Sequence, residues 1–229
     1  MENLIILGAG GYGRTAAETA RAMGVFGRVA FLDDGCTGTD VLGPCTDYIR
    51  FAGEFRWAYP AFGANALRAA WLEKLAAAGY SLPALVHPRA YVSPTADIRP
   101  GAVVLALAAV GACAVVEQGA IVNMGAIADH DCVIGACAHL APGAIVKAGN
   151  TVPAQMKIES GTVLERGAAF LPLGGQHVYT FDLGRRRPWP DGGGRGARCR
   201  ELGRRGVSGR RRPRRGRCRQ MHGRHFAHG

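Results

Sequence analysis

The sequence predicts an α/β N-terminal domain, an all-β parallel solenoid after it, and a disordered basic tail. Three observations lead to this prediction. A glycine-rich turn follows the first apolar run, a six-residue repeat continues without interruption from 86 to 169, and arginine dominates residues 184–229. The predicted domains are therefore 1–85 and 86–169, followed by an irregular connection over 170–183 and the tail over 184–229.

The start of the chain has the pattern of a nucleotide-binding βαβ unit. Leu4–Leu7 is an apolar run typical of a buried strand, and residues 8–13 follow it with the spacing G-x-G-x-x-G. We predict a helix over 15–23 and a second strand over 28–32. Glycines let a phosphate approach the backbone, and a helix N-terminus donates N–H groups to it. Carboxylates after the second strand can bind ribose hydroxyls, so the candidate nucleotide-binding residues are Gly10, Gly11, Asp33 and Asp34.

The rest of the N-terminal domain is short. Only about fifty residues separate Asp34 from the repeat, with a predicted strand around 58–62 and a predicted helix over 65–78. This is half of a Rossmann domain, which is enough for one nucleotide. Three interpretations stay open: the glycines only let the helix pack on the strand, the domain binds a nucleotide without redox chemistry, or it binds NAD.

Residues 86–169 divide into fourteen consecutive hexads. The first residue is a branched aliphatic in thirteen of them, and the fifth is almost always small. A period of six fits neither a helix nor a simple strand, so each unit must be a short strand plus a turn. Strand alternation points the small and the aliphatic residue to one side and the residue between them to the other. The result is a solenoid with a shared apolar axis and Gly or Pro at its corners.

This hexad pattern resembles the hexapeptide-repeat acyltransferases, which fold as left-handed parallel β-helices with three hexads in each triangular coil. Residues 58–65 and 85–88 also resemble the linker of sugar acyltransferases that carry a small N-terminal nucleotide-binding domain. The resemblance covers residues 3–169. It implies acetyl-CoA as the acyl donor and a sugar or nucleotide sugar, used for surface glycans, as the acceptor.

His130 and Asp131 occupy the third and fourth positions of their hexad, which places them at an exposed corner. Residues 128–135 resemble the catalytic turn of the sialic acid O-acetyltransferases and bacillosamine N-acetyltransferases. Imidazole can take a proton from an attacking amine or hydroxyl, and a carboxylate can fix its tautomer. We expect His130 to be the general base and Asp131 its orienting partner. A corner histidine without function is the alternative.

The resemblance further implies that His139, Gly143 and Ala148 contact acetyl-CoA. His139 faces outward half a coil after His130, so the two cannot meet within one chain, and we expect them to meet across a subunit interface. A half-buried histidine without chemistry is the alternative there. Tyr12 lies in the glycine turn at a position where these proteins often have His. The resemblance therefore implies that Tyr12 contacts the acceptor.

Residues eighteen apart should stack on one outer face, and one such stack is apolar. It contains Tyr91, Ala109, Ile127, Ile145 and Val163. A free monomer does not expose a ladder of this kind. The resemblance implies that a homotrimer covers it. Packing against the N-terminal domain or the tail is the alternative.

The formal net charge of +11 is confined to the tail. Residues 1–183 carry a net charge of −3, whereas 184–229 contain sixteen Arg and carry +14. Such a segment cannot fold alone and would bind polyanions nonspecifically. Seven scattered Cys without a CxxC pair, and an N-terminus without a basic leader, favour a reducing cytoplasm.

The sequence therefore predicts a cytoplasmic, acetyl-CoA-dependent acetyltransferase that acts on an amino or hydroxyl group of a sugar and needs no metal. One alternative is a zinc carbonic anhydrase built on the same solenoid. It needs three converging His, and only His130 and His139 are well placed. The other alternative is a noncatalytic nucleic-acid-binding protein that acts through the tail.

Overall fold

The computed structural model describes residues 1–173 and 176–180. Contacts divide the chain into two units, Met1–Trp189 and Pro190–Gly229, and everything described belongs to the first. The tail predicted over 184–229 lies outside the described residues.

A three-stranded parallel sheet forms the N-terminal part. Its strands are β1 (Leu4–Leu7), β2 (Val29–Leu32) and β3 (Trp57–Pro60), in the spatial order β2-β1-β3. Helix α1 (Gly11–Met23) joins β1 to β2, and α2 (Asn65–Ala77) follows β3. The loop after β2 contains a 3-10 helix, Cys45–Phe51, that the sequence did not reveal. This topology confirms the predicted half of a Rossmann domain.

Helix α1 begins four residues before its predicted start. Gly10 is its N-cap and Gly11 its first residue, so the glycine turn is part of the helix N-terminus. The helix ends at Gly24, whose φ of 66° gives the left-handed C-cap that glycine favours.

Fourteen two-residue strands form the solenoid. In chain order they are β4 (Leu85–Val86), β5 (Tyr91–Val92), β6 (Asp97–Ile98), β7 (Val103–Val104), β8 (Ala109–Val110), β9 (Val115–Val116), β10 (Ile121–Val122), β11 (Ile127–Ala128), β12 (Val133–Ile134), β13 (His139–Leu140), β14 (Ile145–Val146), β15 (Thr151–Val152), β16 (Lys157–Ile158) and β17 (Val163–Leu164). Each pairs in parallel with the strand eighteen residues away, as Ile121 does with His139.

These pairings create three flat faces along the solenoid. Face 1 contains β4, β7, β10, β13 and β16, face 2 contains β5, β8, β11, β14 and β17, and face 3 contains β6, β9, β12 and β15. Three hexads therefore make one coil, as the resemblance implied. The first and fifth residues of the hexads fill the interior, which confirms the predicted apolar axis.

Asn150 is a polar exception inside the solenoid. It is almost fully buried at a fifth hexad position. Its amide nitrogen donates to the carbonyls of Lys147 and Glu165, and its amide oxygen accepts from the N–H of Gly167. Because the group is hydrogen-bonded throughout, its burial is tolerated and it ties neighbouring turns together.

The N-terminal part packs on face 1. Leu85, Val103 and Ile121 are outward-facing residues of this face, and all three are fully buried. They share one apolar cluster with β1 and β3, which includes Leu4 and Tyr59. Face 1 is thus covered within the chain, whereas face 2 stays open.

Arg68 of α2 is fully buried at this junction. Its guanidinium donates to the carbonyls of Gly119 at 2.7 Å and Cys137 at 2.6 Å, both on the solenoid. A third bond, of 2.8 Å, reaches the carbonyl of Phe62. These bonds satisfy the N–H donors of the buried guanidinium and attach α2 to the solenoid.

After the solenoid, β18 (Ala169–Leu173) and β19 (Gln176–Thr180) pair antiparallel. This hairpin differs from the irregular connection predicted over 170–183. In the described part of the chain, no helix has the length and apolar character needed to cross a membrane.

Candidate active site

His130 and Asp131 lie at the corner between face 2 and face 3, directly after β11. His130 Nδ1 and Asp131 Oδ2 are 2.7 Å apart, and the side chains are 48% and 64% exposed. Asp131 has a φ of 57°, which lies in the left-handed region. Asp adopts this conformation more readily than most residues. The structure therefore brings the predicted pair together at an accessible edge.

The carboxylate of Asp131 decides which imidazole nitrogen of His130 carries the proton. An ionised carboxylate can only accept, so Nδ1 must be the donor in this 2.7 Å bond. In the neutral ring, Nε2 is then left with a free lone pair. This is the arrangement that a general base requires.

Backbone hydrogen bonds hold the turn that carries His130. Its N–H donates to Asp129 Oδ1 at 2.7 Å, and its carbonyl accepts from the N–H of Gly149 at 3.1 Å. Ala148, one coil below His130 on the same corner, is buried. The imidazole is therefore the exposed part of a turn that is otherwise fixed.

His139 lies on face 1, in β13, and not at the His130 corner. Its Nε2 is 3.1 Å from Asn123 Nδ2, and Asn123 Oδ1 accepts from the N–H of Met124 at 2.8 Å. That second bond identifies Nδ2 as the amide donor, so His139 Nε2 accepts and Nδ1 carries the proton. Nδ1 is buried and has no hydrogen-bond partner among the described residues.

Burial lowers the pKa of His139 to about 4, and the positive charges of Arg68 and Lys157 act in the same direction. The ring is therefore neutral at physiological pH. It holds one unsatisfied N–H, a group that is costly to bury and is suited to donating to a carbonyl oxygen.

Of the residues expected to contact acetyl-CoA, His139 lies on face 1, whereas Gly143 and Ala148 lie at the two edges of face 2. Gly143 is exposed at the corner between face 1 and face 2, with a φ of 69°, and follows His139 in the chain. Ala148 lies at the opposite edge, below His130. The structure thus groups His130, Asp131 and Ala148 at one edge, and His139 with Gly143 near the other.

The glycine motif serves two purposes. Gly8 has a φ of 99°, and a Cβ on Gly13 would collide with the carbonyl oxygen of Gly8, so these two allow the helix to pack on the strand. Gly10 and Gly11 are exposed, and a Cβ on either would meet nothing within 4 Å. Packing therefore does not explain these two glycines, which leave open space in front of the α1 N-terminus.

The carboxylate of Asp33 is hydrogen-bonded to backbone N–H groups. It accepts from the N–H groups of Ala9 at 2.7 Å, Gly35 at 2.8 Å and Cys36 at 2.6 Å. These bonds lower the pKa of Asp33 to about 2, and the bond from the N–H of Ala9 has the largest effect. Asp34 Oδ1 accepts from the N–H of Cys45 at 2.8 Å. Both carboxylates thus organise the loops around the glycine turn.

A cleft of about 380 Å³ opens beside this turn. Ala9, Arg14, Phe31 and residues 36–41 line it. Sequence reasoning missed Arg14, although a basic side chain in the first turn of a helix after a glycine motif is a recognisable anion-binding signal.

Tyr12 is partly buried and its hydroxyl has a partner inside the protein. Its hydroxyl lies 2.6 Å from that of Tyr59, which is fully buried in the cluster between β3 and face 1. Burial raises the pKa of Tyr12 to about 12. The hydroxyl already has a protein partner, so Tyr12 contributes to packing, and its contact with the acceptor stays a prediction.

Across the described residues, no group of three or more His, Cys, Asp and Glu side chains comes together as a metal-binding cluster. The carbonic anhydrase alternative, which needs three converging histidines, gains no support from this arrangement.

The chain combines a solenoid of six-residue repeats, a His–Asp pair at an open corner and a small α/β domain. This combination is typical of a class of acyltransferases. Comparison with known proteins agrees with that class. Residues 3–75 match the family model of the PglD N-terminal domain. A search of curated protein sequences finds no match.

Solved structures give close counterparts. The acetyltransferase domain of PglB from Neisseria gonorrhoeae in complex with acetyl coenzyme A is 32% identical, with a TM-score of 0.66 over 78% of this chain and 99% of that one. PerB from Caulobacter crescentus in complex with CoA and GDP-perosamine is 26% identical, with a TM-score of 0.66 over 79% and 98%. WeeI from Acinetobacter baumannii, 16% identical with a TM-score of 0.57 over 79% and 100%, shares the fold.

The chain belongs to the family of hexapeptide-repeat sugar acetyltransferases that carry a PglD-type N-terminal domain. The predicted fold class and enzyme class are thereby confirmed.

Proposed function

We propose that this acetyltransferase transfers the acetyl group of acetyl-CoA to a nucleotide sugar, with His130 as the general base. The hydrogen-bonded pair of His130 and Asp131 at an open corner is the observation that carries the proposal. The PglB relative binds acetyl coenzyme A, and PerB binds CoA with GDP-perosamine, which supports the same donor and class of acceptor here.

An amino group is the favoured acceptor, because the Caulobacter relative is a perosamine N-acetyltransferase. Variants of that enzyme with one histidine replaced by Asn or Ala were studied with CoA and GDP-perosamine. A hydroxyl acceptor is the second candidate, and it would use the same base.

In the proposed reaction, the acceptor nitrogen attacks the thioester carbonyl while His130 Nε2 takes its proton. The C–S bond then breaks, the acetyl group stays on nitrogen, and the imidazolium returns the proton to the leaving thiolate. Asp131 stabilises the imidazolium through Nδ1. The half-buried, neutral His139 is proposed to contact the thioester side of acetyl-CoA.

The N-terminal domain is proposed to hold the nucleotide of the acceptor. Gly10 and Gly11 leave the α1 N-terminus open, and the cleft beside it carries Arg14. Backbone N–H groups and a guanidinium together suit a diphosphate. Asp33 contributes by holding the loop, since three N–H groups already occupy its carboxylate.

A homotrimer packed through face 2 is proposed as the working form. Tyr91, Ile127 and Val163 expose 63%, 37% and 37% of their surface on this face, and Leu107 and Met124 extend the apolar patch at its corner. His130 lies at one edge of face 2 and His139 near the other. In a three-fold ring, unlike edges of neighbouring protomers meet, which would combine His130 of one chain with His139 of the next.

The test is thiol release from acetyl-CoA with a panel of UDP-, CMP- and GDP-linked amino and hydroxy sugars. We expect His130→Ala to lower kcat by roughly 100- to 10,000-fold, the usual contribution of a general base. His87→Ala, a histidine in another turn of the solenoid, is the matched control and should keep wild-type activity. Equal activity of wild type and His130→Ala would refute the assignment of the base.

A further inference from the structure

Gly111 lies one coil above Asp129, on the corner that carries His130. Most turn glycines of the solenoid, such as Gly125 and Gly149, have a positive φ and open space where a Cβ would lie. Gly111 is different, because its φ lies outside the left-handed region. Conformational freedom therefore does not explain it.

The lack of room for a side chain explains the glycine at position 111 instead. A Cβ on Gly111 would lie 2.6 Å from the backbone N of His130 and 2.8 Å from the carbonyl carbon of Asp129. Both are backbone atoms, which cannot rotate away as a side chain can. Cβ atoms essentially never come closer than 3.0 Å to such atoms, so any side chain here would push the His130 turn outward.

Two hydrogen bonds tie the same turn to the coil above. The N–H of Gly111 donates to the carbonyl of Ala128 at 2.8 Å, and the N–H of Asp131 donates to the carbonyl of Ala112 at 2.9 Å. The backbone at 111 and 112 thus fixes the turn on both sides of His130. A shift in this contact would move the imidazole directly.

We propose that Gly111 is a positioning residue for the His130 turn: its bare backbone lets the turn lie against the coil above and so sets the position of the imidazole. This inference rests on the proposed function of His130. Gly111 touches no reacting atom, and its effect passes through the backbone of residues 129 and 130.

Gly135 provides a matched control inside the same chain. It occupies the same hexad position four hexads later, at the corner between face 3 and face 1. A Cβ there would lie 2.6 Å from the N of Ala154 and 2.8 Å from the carbonyl carbon of Pro153. The steric conflict is the same, but the turn that it would displace is not the one that carries His130.

The experiment compares Gly111→Ala with Gly135→Ala. Both variants should lose thermal stability to a similar extent, measured as Tm. Only Gly111→Ala should lose kcat, by about 10- to 100-fold, because small misplacements of a reacting group are that costly. Its KM for acetyl-CoA should be unchanged, and the similar loss of Tm in a fully active Gly135→Ala would exclude instability as the cause of the lower kcat. Equal kcat values for the two variants would overturn the inference.

His130→Ala, assayed alongside, separates the two ideas. If His130→Ala is fully active, the proposed function fails, whereas if it is inactive and Gly111→Ala matches Gly135→Ala, only the positioning role fails. Should Gly111→Ala unfold at the assay temperature, both glycine variants are assayed at a lower temperature at which circular dichroism shows them folded. Equal kcat values there would refute the inference, and a kcat lowered only in Gly111→Ala would support it.

Discussion

His139 and Asp33 are single side chains whose surroundings set a measurable pH dependence. The folded protein lowers the pKa of His139 from 6.5 to about 4, mainly through burial. It lowers the pKa of Asp33 from 3.8 to about 2 through backbone N–H donors. The two groups therefore act in separate pH windows. An acid limb of activity near neutral pH would not come from His139.

We expect stability to fall as pH decreases from 6.5 to about 4, and His139 to cause part of that fall. In this window the unfolded chain binds a proton at His139 while the folded chain does not, so acid favours unfolding. Urea midpoints followed by tryptophan fluorescence should show a weaker pH dependence in His139→Asn than in wild type. Asp33→Asn is the control, since its effect on the pH slope should appear only below pH 3.8. Parallel curves for wild type and His139→Asn would contradict the expectation.

At the scale of elements, Arg68 makes the buried hydrogen bonds that join α2 to the solenoid, and Asn65 adds an exposed one to the carbonyl of Gln155 at 2.8 Å. The Arg68 guanidinium reaches carbonyl oxygens at two successive solenoid turns, Gly119 and Cys137, and also the amide oxygen of Asn65. Helix α2 has a weak apolar stripe, with only Leu72 and Leu75 buried among its apolar residues. The hydrogen bonds of Arg68 therefore contribute much of the attachment.

Arg68→Met should lower the free energy of unfolding by about 2–4 kcal/mol, because buried carbonyls lose a charged donor. Chemical unfolding in urea measures this loss. Arg50→Met is the control: Arg50 is an exposed partner of Asp47, and its loss should cost less than about 0.5 kcal/mol. Similar unfolding midpoints for the two variants would show that Arg68 is not needed at the junction.

On the scale of the whole molecule, the N-terminal part covers face 1 and leaves face 2 apolar and open. Leu85, Val103 and Ile121 are shielded, while Tyr91 and Ile127 on the neighbouring face are exposed. The asymmetry favours contact between copies through face 2. It also places the two histidines at edges that a ring of three chains would bring together.

Mixed trimers test this arrangement. His130→Ala and His139→Ala should each be strongly impaired alone. Co-refolded in equal amounts, they should regain about one quarter of wild-type activity, because random assembly leaves one site in four with both histidines intact. The mass of the mixture, measured by light scattering, should be that of three chains.

Separately purified variants that are mixed without unfolding serve as the control and should stay inactive. If the co-refolded mixture is also inactive, the two histidines do not share a site between chains.

The solenoid could be predicted almost completely from the sequence, because the position of a residue in its hexad determines whether it faces inward, faces outward or forms a corner. The corner position of Asp131, where other hexads have glycine, could be predicted for the same reason. Long-range packing was not visible. Ile121 and Ile127 have the same hexad position, and only the placement of the N-terminal part makes one buried and the other exposed.

The same limit explains the residues that were missed or reassigned. Arg68 looks like an ordinary surface residue of a helix until the solenoid is brought against it. Tyr12 was assigned to the acceptor by position, and its partner Tyr59 is distant in the chain. Asp33 follows its strand as expected, but the sequence does not reveal that three backbone N–H groups donate to its carboxylate.

The hydrogen bonds of Arg68 have a consequence for how this protein can vary. On the solenoid, the acceptors are the main-chain oxygens of Gly119, Cys137 and Ala138. Main-chain acceptors do not depend on the side chain at their own position, but these three positions are constrained by space: a Cβ on Gly119 would collide with Leu72, and Cys137 and Ala138 are buried. Variation at this seam is therefore limited on both sides, by the guanidinium at position 68 and by the small residues that receive it.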